Sequence, residues 1–330
     1  MPGAGRSPYG ATSRPTDFAE LRGRPTRRPS LQVVSNLPRA NLGLADTLVP
    51  WYDTAARDLP WRHPGVDAWA VLVSEVMLQQ TPVARVLPAY TAWLDRWPSP
   101  AALAQDAPGE AVRMWGNLGY PRRALRLHAA AVALGERHGG QLPRTVPELL
   151  ALPGIGDYTA RAIAAFAYGQ RVPVVDTNVR RVVARAVEGR AEAPVTRQDL
   201  ALVESLLPAR PDQAVRASIA FMELGALVCT ARAPRCPNCP IQQKCAWLAA
   251  GRPAPAAPGR RPQPWTGTDR QARGRLLKVL RDSTDPVEQE QLDRVWDEPV
   301  QRDRALAGLA TDGLVVRLPD GRYALPGESG

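Results

Sequence analysis

Apolar residues recur at spacings of three and four along the chain from about residue 44 to residue 248, with proline and glycine between the periodic runs. This spacing places apolar side chains on one face of an α-helix. No alternating run of the kind that marks a strand competes with it. We therefore predict an all-α region whose clearest helices are Trp69–Leu78, Pro82–Arg96, Arg122–Arg137, Tyr158–Tyr168, Thr177–Val187, Arg197–Leu207 and Gln213–Val228.

A different pattern begins after residue 250. Residues 251–267 are rich in proline, glycine and arginine, which is typical of a linker. Beyond them the pattern predicts three helices and then two strands joined by a turn at Asp320-Gly321: Arg270–Arg281, Val287–Val295, Pro299–Thr311, Leu314–Leu318 and Arg322–Leu325. Residues 268–327 would thus form a small winged-helix-like module, and a helical module for protein contact is the alternative.

The positive net charge of the chain indicates which kinds of molecule it is suited to bind. Lysine and arginine number 42 against 32 aspartate and glutamate, an imbalance that suits nucleic acid or an anionic membrane surface. An arginine-rich genome would give the same balance. No segment approaches a membrane span, and residues 1–43 lack the apolar stretch of a signal peptide. We expect a cytoplasmic protein with no membrane contact and a disordered basic tail at residues 1–43.

All four cysteines fall in one short segment: Cys229, Cys236, Cys239 and Cys245. Such clustering in a cytoplasmic chain favours a metal centre over a disulfide framework. Zinc is usual for two well-separated pairs, whereas one compact four-cysteine loop suits a cubane iron–sulfur cluster. The spacing alone leaves both metals open.

Leu152-Pro153-Gly154-Ile155-Gly156 separates two short predicted helices. Its glycines permit a tight turn, and the free amides at the start of the next helix can bind an anion. Gly154, Ile155 and Gly156 are therefore predicted to hold a DNA phosphate, although glycine-rich connections between helices also serve packing.

Three further segments carry a family resemblance. The hairpin, the Val174-Val175-Asp176-Thr177-Asn178 segment and the cysteine spacing resemble the helix-hairpin-helix DNA glycosylase superfamily. The run from Ser74 to Thr81 (SEVMLQQT) is similar to the signature of the A/G-specific adenine glycosylases, the MutY family. The Leu59-Pro60-Trp61-Arg62 and Asn117-Leu118-Gly119-Tyr120 segments fit the same family.

The resemblance implies a mainly α fold with two domains and DNA bound between them. Residues 64–172 would form a six-helix barrel domain containing the helix-hairpin-helix. Residues 44–63 and 173–250 would form an iron–sulfur cluster domain whose four cysteines hold a 4Fe-4S cluster. The substrate implied is double-stranded DNA with a mismatch, and we expect the enzyme to act as a monomer.

Two carboxylates suit the chemistry of removing a purine. The sugar becomes cationic as the glycosidic bond breaks, so an acid is needed near the base and an anion near the sugar, as in glycoside hydrolysis. Glu75 stands among valines, methionine and leucine, where its pKa would rise. Its alternative is a helix-surface glutamate, and that of Asp176 is an ordinary helix N-cap. The resemblance implies that Glu75 is the catalytic acid and that Asp176 stabilises or attacks the sugar cation.

Other site residues follow from the resemblance. Tyr158 stands where strand-cleaving relatives carry a lysine for a Schiff base, so we predict a monofunctional enzyme that leaves an abasic site. Asn178 would position Asp176, and Arg180 would face phosphate. Gln80 and Tyr120 match wedge residues that flank the base opposite, although Pro121 replaces the usual second aromatic. The positions expected to contact the flipped adenine are Arg57, Leu59, Trp61, Arg62 and Leu78.

Two rival functions remain open from the sequence. One is a thymine or uracil mismatch glycosylase on the same scaffold, and the other is a non-catalytic DNA-binding protein or redox sensor with an iron–sulfur cluster. Many family members also carry a Nudix-like β domain that recognises 8-oxoguanine. The segment after Pro264 is too short and too helical for one, so the preference between 8-oxoguanine and guanine stays open.

Overall fold

The computed structural model describes residues 43–191, 198–255 and 265–328. The helices in these residues are α1 Leu44–Ala55, α2 Ala68–Leu78, α3 Val83–Arg96, α4 Pro100–Gln105, α5 Pro108–Trp115, α6 Arg122–His138, α7 Val146–Leu150, α8 Asp157–Phe166, α9 Thr177–Ala186, α10 Gln198–Leu206, α11 Pro211–Leu227, α12 Ala246–Ala249, α13 Asp269–Asp282, α14 Gln289–Asp293 and α15 Pro299–Thr311. Two short strands, β1 Val316–Arg317 and β2 Tyr323–Ala324, pair antiparallel. The mainly α fold is confirmed.

Several sequence expectations fall outside the described residues. The disordered tail assigned to residues 1–43 lies outside them except for its last residue, and so do Arg197 and the middle of the 251–267 linker, residues 256–264. Within the described chain, the long predicted helices are present with bounds that shift by one or two residues.

The largest core lies around α2. Every residue of this helix from Trp69 to Met77 is buried, because α3, α6 and α8 all pack against it. Three tryptophans, Trp93, Trp97 and Trp115, fill the neighbouring space in edge-to-face contacts. A helix that is apolar on all sides has no solvent face, so any polar residue on it is forced into the interior.

A second core joins α1 to the segment from α9 to α11. Leu48, Val182, Val203, Phe221 and Leu224 are buried there together with Ile241 of the cysteine loop. Glycine permits the closest approach, because a Cβ on Gly225 of α11 would lie 2.6 Å from the Cβ of Asn178 on α9. The segment before α2 and the segment after α8 therefore pack together, leaving a crevice between the two cores.

The C-terminal helices and hairpin pack on the barrel through α5. Leu276, Leu280 and Leu325 belong to the same hydrophobic core as α2. Gly109 at the start of α5 donates to Pro326 O at 2.7 Å, and Arg113 donates to Arg281 O and Ser283 O at 2.5 Å each. The C-terminal module is thus fixed against the barrel by shared apolar burial and by hydrogen bonds to its backbone carbonyls.

Two predictions for this module were too long. Helix α14 begins only at Gln289, not Val287, because the backbone of Val287 pairs with that of Tyr323 in an isolated β-bridge and Glu288 forms a capping box. The predicted strands shorten to two residues each, closing at a turn where Gly321 has a φ of +94°. The likeness to a winged helix stays a prediction.

The short helices α4, α5 and α7 are the main elements that the sequence analysis did not predict. Pro100 and Pro108 stand at the first position of α4 and α5, and Pro147 stands at the second position of α7, where the fixed proline φ is favourable. Ser99 and Thr145 cap α4 and α7 with their side chains. These helices are too short for a periodic apolar pattern. None of the helices in the described ranges is long and apolar enough to span a bilayer.

Candidate active site

A pocket of about 650 Å³ opens in the crevice between the two cores. Helix α2, the 3₁₀ turn Pro60–Arg62 and the first turns of α8 and α9 form its walls. The structure brings together eleven residues that the sequence singled out: Arg57, Leu59, Trp61, Arg62, Glu75, Leu78, Gln80, Tyr158, Asp176, Asn178 and Arg180. Tyr120 and the hairpin glycines line other surfaces.

Glu75 lies in the last turns of the buried helix α2, and only 6% of the residue is exposed. Burial disfavours the charged carboxylate and raises its pKa from 4.5 to about 7, while the Tyr158 hydroxyl, as a hydrogen-bond partner, opposes the rise. The nearby charge of Asp176 raises the pKa further, and that of Arg62 lowers it. Glu75 can therefore hold a proton near neutral pH.

Asp176 caps helix α9. Its Oδ1 accepts from the Val179 amide at 2.7 Å, and its Oδ2 accepts from the side-chain amide of Asn178 at 2.8 Å. Burial raises the pKa of Asp176, and these donors oppose the rise because they stabilise the anion. Asp176 is thus the N-cap of α9, and it also lines the pocket.

Asn178 is itself oriented by a hydrogen bond from Arg181. Arg181 donates to Asn178 Oδ1, to Gly225 O and to Cys229 O, each at 2.7 Å. This guanidinium links the start of α9 to the end of α11 and to the first cysteine of the loop. The orientation of the Asp176 carboxylate therefore depends on contacts that reach the cysteine segment.

Tyr158 lies at the second position of α8 and faces both carboxylates. Burial together with the charges of Glu75 and Asp176 raises the pKa of its phenol well above 10, so the hydroxyl stays protonated. A protonated phenol can donate a hydrogen bond to Glu75 but cannot form an imine.

Glu223 of α11 is a site residue that the sequence analysis missed. Its side chain is fully buried and accepts from Arg57 Nε and Nη2 at 2.7 and 2.8 Å and from both terminal nitrogens of Arg62 at 3.0 Å. The pKa of Glu223 is lowered because these hydrogen bonds outweigh its desolvation. The two arginines of the pocket wall therefore share one carboxylate that fixes their geometry.

Arg123 is a second residue near the site that the sequence analysis missed. This buried residue of α6 donates to Val76 O, Met77 O and Gln79 O at the end of α2, and to Gly119 O and Thr81 Oγ1. None of these acceptors is charged, and burial lowers the Arg123 pKa to about 10. Gln80 and Tyr120, which have φ values of +56° and +48°, lie in the two loops that this guanidinium joins.

In the hairpin between α7 and α8, the glycines are exposed and the isoleucine between them is buried. Ile155 is 8% exposed, whereas Gly154 and Gly156 face solvent. Gly154 has a φ of +75°, and a Cβ there would lie 2.6 Å from the Cβ of Arg126. Gly156 is the N-cap of α8 and has no side chain to cap the first amides of that helix. Arg180, at the pocket rim, pairs with Asp199 at 3.0 Å, which compensates part of its charge.

The four cysteines are unbridged and line one small cavity with Arg185 and Trp247. Arg185 is buried and donates to Thr230 O and Ala231 O beside Cys229, whose sulfur lies 3.5 Å from its guanidinium. Burial raises the pKa of Cys239 to about 11, and the other three thiols contribute to the rise. No group of three or more His, Cys, Asp or Glu in the described residues has the arrangement of ligands to a single metal ion.

Comparison with known proteins agrees with this geometry. The family model for HhH-GPD superfamily base excision DNA repair proteins matches residues 73–203. An adenine DNA glycosylase of Mycolicibacterium smegmatis is 59% identical over 283 residues, covering 85% of this chain and 95% of the relative. The Mycobacterium tuberculosis protein of the same name is 56% identical, with 86% and 94% covered. A human adenine DNA glycosylase is 44% identical over 60% of this chain and 38% of its own length.

Solved structures show the same fold. A thermostable thymine-DNA glycosylase aligns with a TM-score of 0.59 at 26% identity, covering 64% of this chain and 97% of that one. An endonuclease III trapped in a covalent complex with DNA aligns with a TM-score of 0.55 at 21% identity, covering 63% and 94%. The helix-hairpin-helix glycosylase fold is thereby confirmed, and the chain belongs to the adenine DNA glycosylase family of base excision repair.

Proposed function

We propose that this protein hydrolyses the N-glycosidic bond of adenine mispaired with 8-oxoguanine or guanine in double-stranded DNA, and that it acts as a monomer. The observation that carries the proposal is the placement of Glu75 and Asp176 at one pocket, where burial raises the pKa of Glu75 to about 7 and Asp176 accepts two hydrogen bonds. One carboxylic acid and one carboxylate at the same site are the pair that glycoside cleavage requires.

The base has to leave the duplex before it can enter this pocket. Leu59, Trp61 and Leu78 supply apolar wall area to an extruded purine. Arg57 and Arg62, fixed by Glu223, present guanidinium donors in a set geometry at the same wall. Gln80 lies at the pocket mouth, where its side chain can occupy the space that the base leaves in the stack.

Bond cleavage then follows from the two carboxyl groups. Protonated Glu75 donates its proton to a ring nitrogen of adenine, so that the base leaves as a neutral molecule. Asp176, whose anionic form accepts hydrogen bonds from Val179 and Asn178, stabilises the positive charge that develops on the sugar, or attacks it. Glu75, now ionised, accepts a proton from the water that completes hydrolysis. Tyr158 supports Glu75 and offers no amine, so the product is an abasic site in an intact strand.

The proposal also covers the hairpin, the division into domains and the location of the protein. The amides at Gly154, Ile155 and Gly156 bind a DNA phosphate at the start of α8. Residues 64–172 form the barrel domain, and residues 44–63 with 173–250 form the cluster domain. The two main hydrophobic cores support this division except at Leu59 and Trp61, which pack in the barrel core. The expected cytoplasmic location stays a prediction.

We also propose that Cys229, Cys236, Cys239 and Cys245 hold a 4Fe-4S cluster. Their four thiols lie around a common cavity and influence one another's ionisation, which fits a four-sulfur donor set. When bound, the cluster supplies a covalent cross-link across the loop, and none of the steps above uses its electrons. Stoichiometric iron with visible absorbance is expected, and a colourless protein containing zinc would contradict the cluster.

One assay tests the reaction. Duplexes with A·8-oxoG, A·G, T·G and U·G are incubated with the protein and then split, one half treated with hot alkali and the other left untreated. We expect strand cleavage of the two adenine duplexes only after alkali. Thymine or uracil release without adenine release would refute the proposed substrate. Cleavage without alkali, or trapping by borohydride, would refute the monofunctional mechanism.

A further inference from the structure

The loop between α5 and α6, residues 116–120, has an unusual backbone. We call it the wedge loop, because it ends at Tyr120. Gly116, Gly119 and Tyr120 have φ values of +53°, +84° and +48°, and the last of these is costly for a residue other than glycine. The Tyr120 side chain is 48% exposed, so its own packing gives the loop little support. Such a backbone persists only where its surroundings hold it.

Side chains from outside the wedge loop supply that support. Each of the four backbone carbonyls before Tyr120 accepts a hydrogen bond from such a side chain. The donors, for the carbonyls of residues 116 to 119 in order, are Arg281, then Arg85, then Thr81, and last Arg123 together with Trp115. Of these donors, Arg281 alone belongs to the C-terminal module, and the others belong to the barrel. The conformation of the wedge loop therefore depends on both parts of the chain.

Two arginines connect the ends of α5 and α13 reciprocally. Arg281, in the last turn of α13, donates to the carbonyl of Gly116, which ends α5, and to Asn117 Oδ1 at 3.2 Å. Arg113, in the last turn of α5, donates to three carbonyls at the end of α13 at 2.5 to 3.3 Å. The last carbonyls of a helix lack partners within it and carry the negative end of its dipole. Each guanidinium therefore stabilises the carbonyl end of the other helix.

The contact of Arg281 with the wedge loop goes beyond what docking of the module needs. Apolar side chains of α13 in the barrel core and the Arg113 hydrogen bonds already fix the module on α5. Burial lowers the pKa of the Arg281 guanidinium, although the charge of Asp282 opposes this change. A half-buried cation needs hydrogen bonds to offset its lost hydration, and Arg281 makes them inside the wedge loop, at Gly116 and Asn117.

We propose that Arg281 is a positioning residue for base extrusion: it holds the wedge loop so that Tyr120 enters the duplex in a set orientation. The C-terminal module would thus take part in extrusion through this one contact. The inference rests on the proposed function. Extrusion costs the free energy of unstacking the base. A loop that already has its bound conformation loses no further entropy when Tyr120 enters the stack, whereas a relaxed loop does.

A double-mutant cycle on the extrusion rate tests this role. The duplex carries 2-aminopurine in place of the mispaired adenine, and its fluorescence rises when the base leaves the stack. Every full-length protein also carries Asp176→Asn, so that excision does not interfere. Arg281→Met keeps a long side chain without donors and should slow extrusion about tenfold, the loss expected for hydrogen bonds from a charged group. With Tyr120→Ala present, Arg281→Met should cause no further loss, because the loop then has no wedge side chain to position.

Two further variants separate positioning from folding. Arg294→Met removes the same charge from an exposed position of the module and should extrude the base at the unmodified rate. Asn117→Ala removes one acceptor of Arg281 and leaves the Arg113 contacts intact, so we expect a loss of about threefold that also disappears with Tyr120→Ala. If Arg281→Met lowers the melting temperature, Asn117→Ala decides the outcome.

The results that would overturn the inference are distinct from those that would refute the proposed function. Arg281→Met or Asn117→Ala acting as the Arg294→Met control does would overturn the inference. So would a loss of the same size with and without Tyr120, because Arg281 would then only support the fold. Normal extrusion by Tyr120→Ala, in a protein whose wild type excises adenine, would overturn the inference and leave the proposed function standing. A wild type that excises adenine from none of its duplexes would refute the proposed function itself.

Discussion

Glu75→Gln is expected to stabilise the protein while abolishing its activity. The folded chain holds the Glu75 carboxyl with a pKa of about 7 instead of 4.5, because the side chain is buried. Between these two values the folded state binds a proton that the unfolded state has released, so stability falls as pH rises. A glutamine in the same place has no charge to desolvate, and the variant should escape this penalty.

The magnitude follows from the pKa shift. A difference of roughly 2.5 pKa units at about 1.4 kcal/mol per unit makes wild type about 3 kcal/mol less stable, relative to the variant, above pH 7 than below pH 4.5. At about 2.1 cal/mol/K per residue, unfolding 330 residues has an entropy of about 0.7 kcal/mol/K, so this difference corresponds to roughly 4 °C in melting temperature. The variant also lacks the proton that the leaving adenine needs, so its excision rate should fall to background.

Thermal melts of wild type and Glu75→Gln across pH 5 to 8.5, with single-turnover excision at each pH, would test both parts. Glu136→Gln, on the exposed side of α6, is the matched control and should show no pH-dependent gain. A stability difference that does not change with pH would refute the assignment of a proton to Glu75 at neutral pH. An active variant would refute its role as the acid.

Three other substitutions test the supporting contacts. Glu223→Gln leaves Arg57 and Arg62 without their shared carboxylate. We expect a loss of about 3 kcal/mol in unfolding free energy and weaker duplex binding. A denaturant midpoint equal to that of wild type would contradict this expectation. Arg123→Lys cannot span five acceptors and should reduce duplex affinity about tenfold by loosening the Gln80 and Tyr120 loops. Arg137→Lys, an exposed residue of the same helix, is the control, and equal affinities for the two variants would argue against that role. Arg181→Lys releases Asn178 and should lower the excision rate about 100-fold with little change in duplex affinity, a split that a purely structural defect would not produce.

The sequence predicted which residues line the pocket better than it predicted how those residues are arranged in space. Most positions named for the pocket came from short motifs in which neighbours along the chain are also neighbours in space, such as Leu59 to Arg62. Glu223 was missed because its partners Arg57 and Arg62 lie more than 160 residues away in sequence. Its position in an apolar helical run was the available indication, since a charged residue there has to find a partner when it is buried.

Glu75 shows how periodicity can mislead. A helix with a solvent face would have placed this glutamate outward, whereas its apolar neighbours and the family motif both argued otherwise. The structure buries α2 on all sides, so the run AWAVLVSEVML has no polar face to give to Glu75. The nearly continuous apolar composition of that helix was a physical indication of burial that stands without the motif.

The cleft of about 610 Å³ between the loop before α6 and helix α13, which Tyr120 and Trp265 line, had no local indication in the sequence. Tyr120 and Trp265 are 145 positions apart, and they face each other only because α13 packs on α5 through a shared core and the Arg113 hydrogen bonds. Short helices started by proline, such as α4 and α5, also lay below the length at which periodicity is informative. Docking of one helical unit on another depends on shape complementarity, which a single sequence does not display.

Asp176→Asn gives the most direct test of the central claim that two carboxyl groups act on one sugar–purine bond. Single-turnover adenine release from an A·8-oxoG duplex is measured beside equilibrium binding of the same duplex. The account predicts binding close to that of wild type and no detectable release, because an amide cannot stabilise the sugar cation. Release at the wild-type rate would contradict it, since the anion at the end of α9 would then have no part in the reaction.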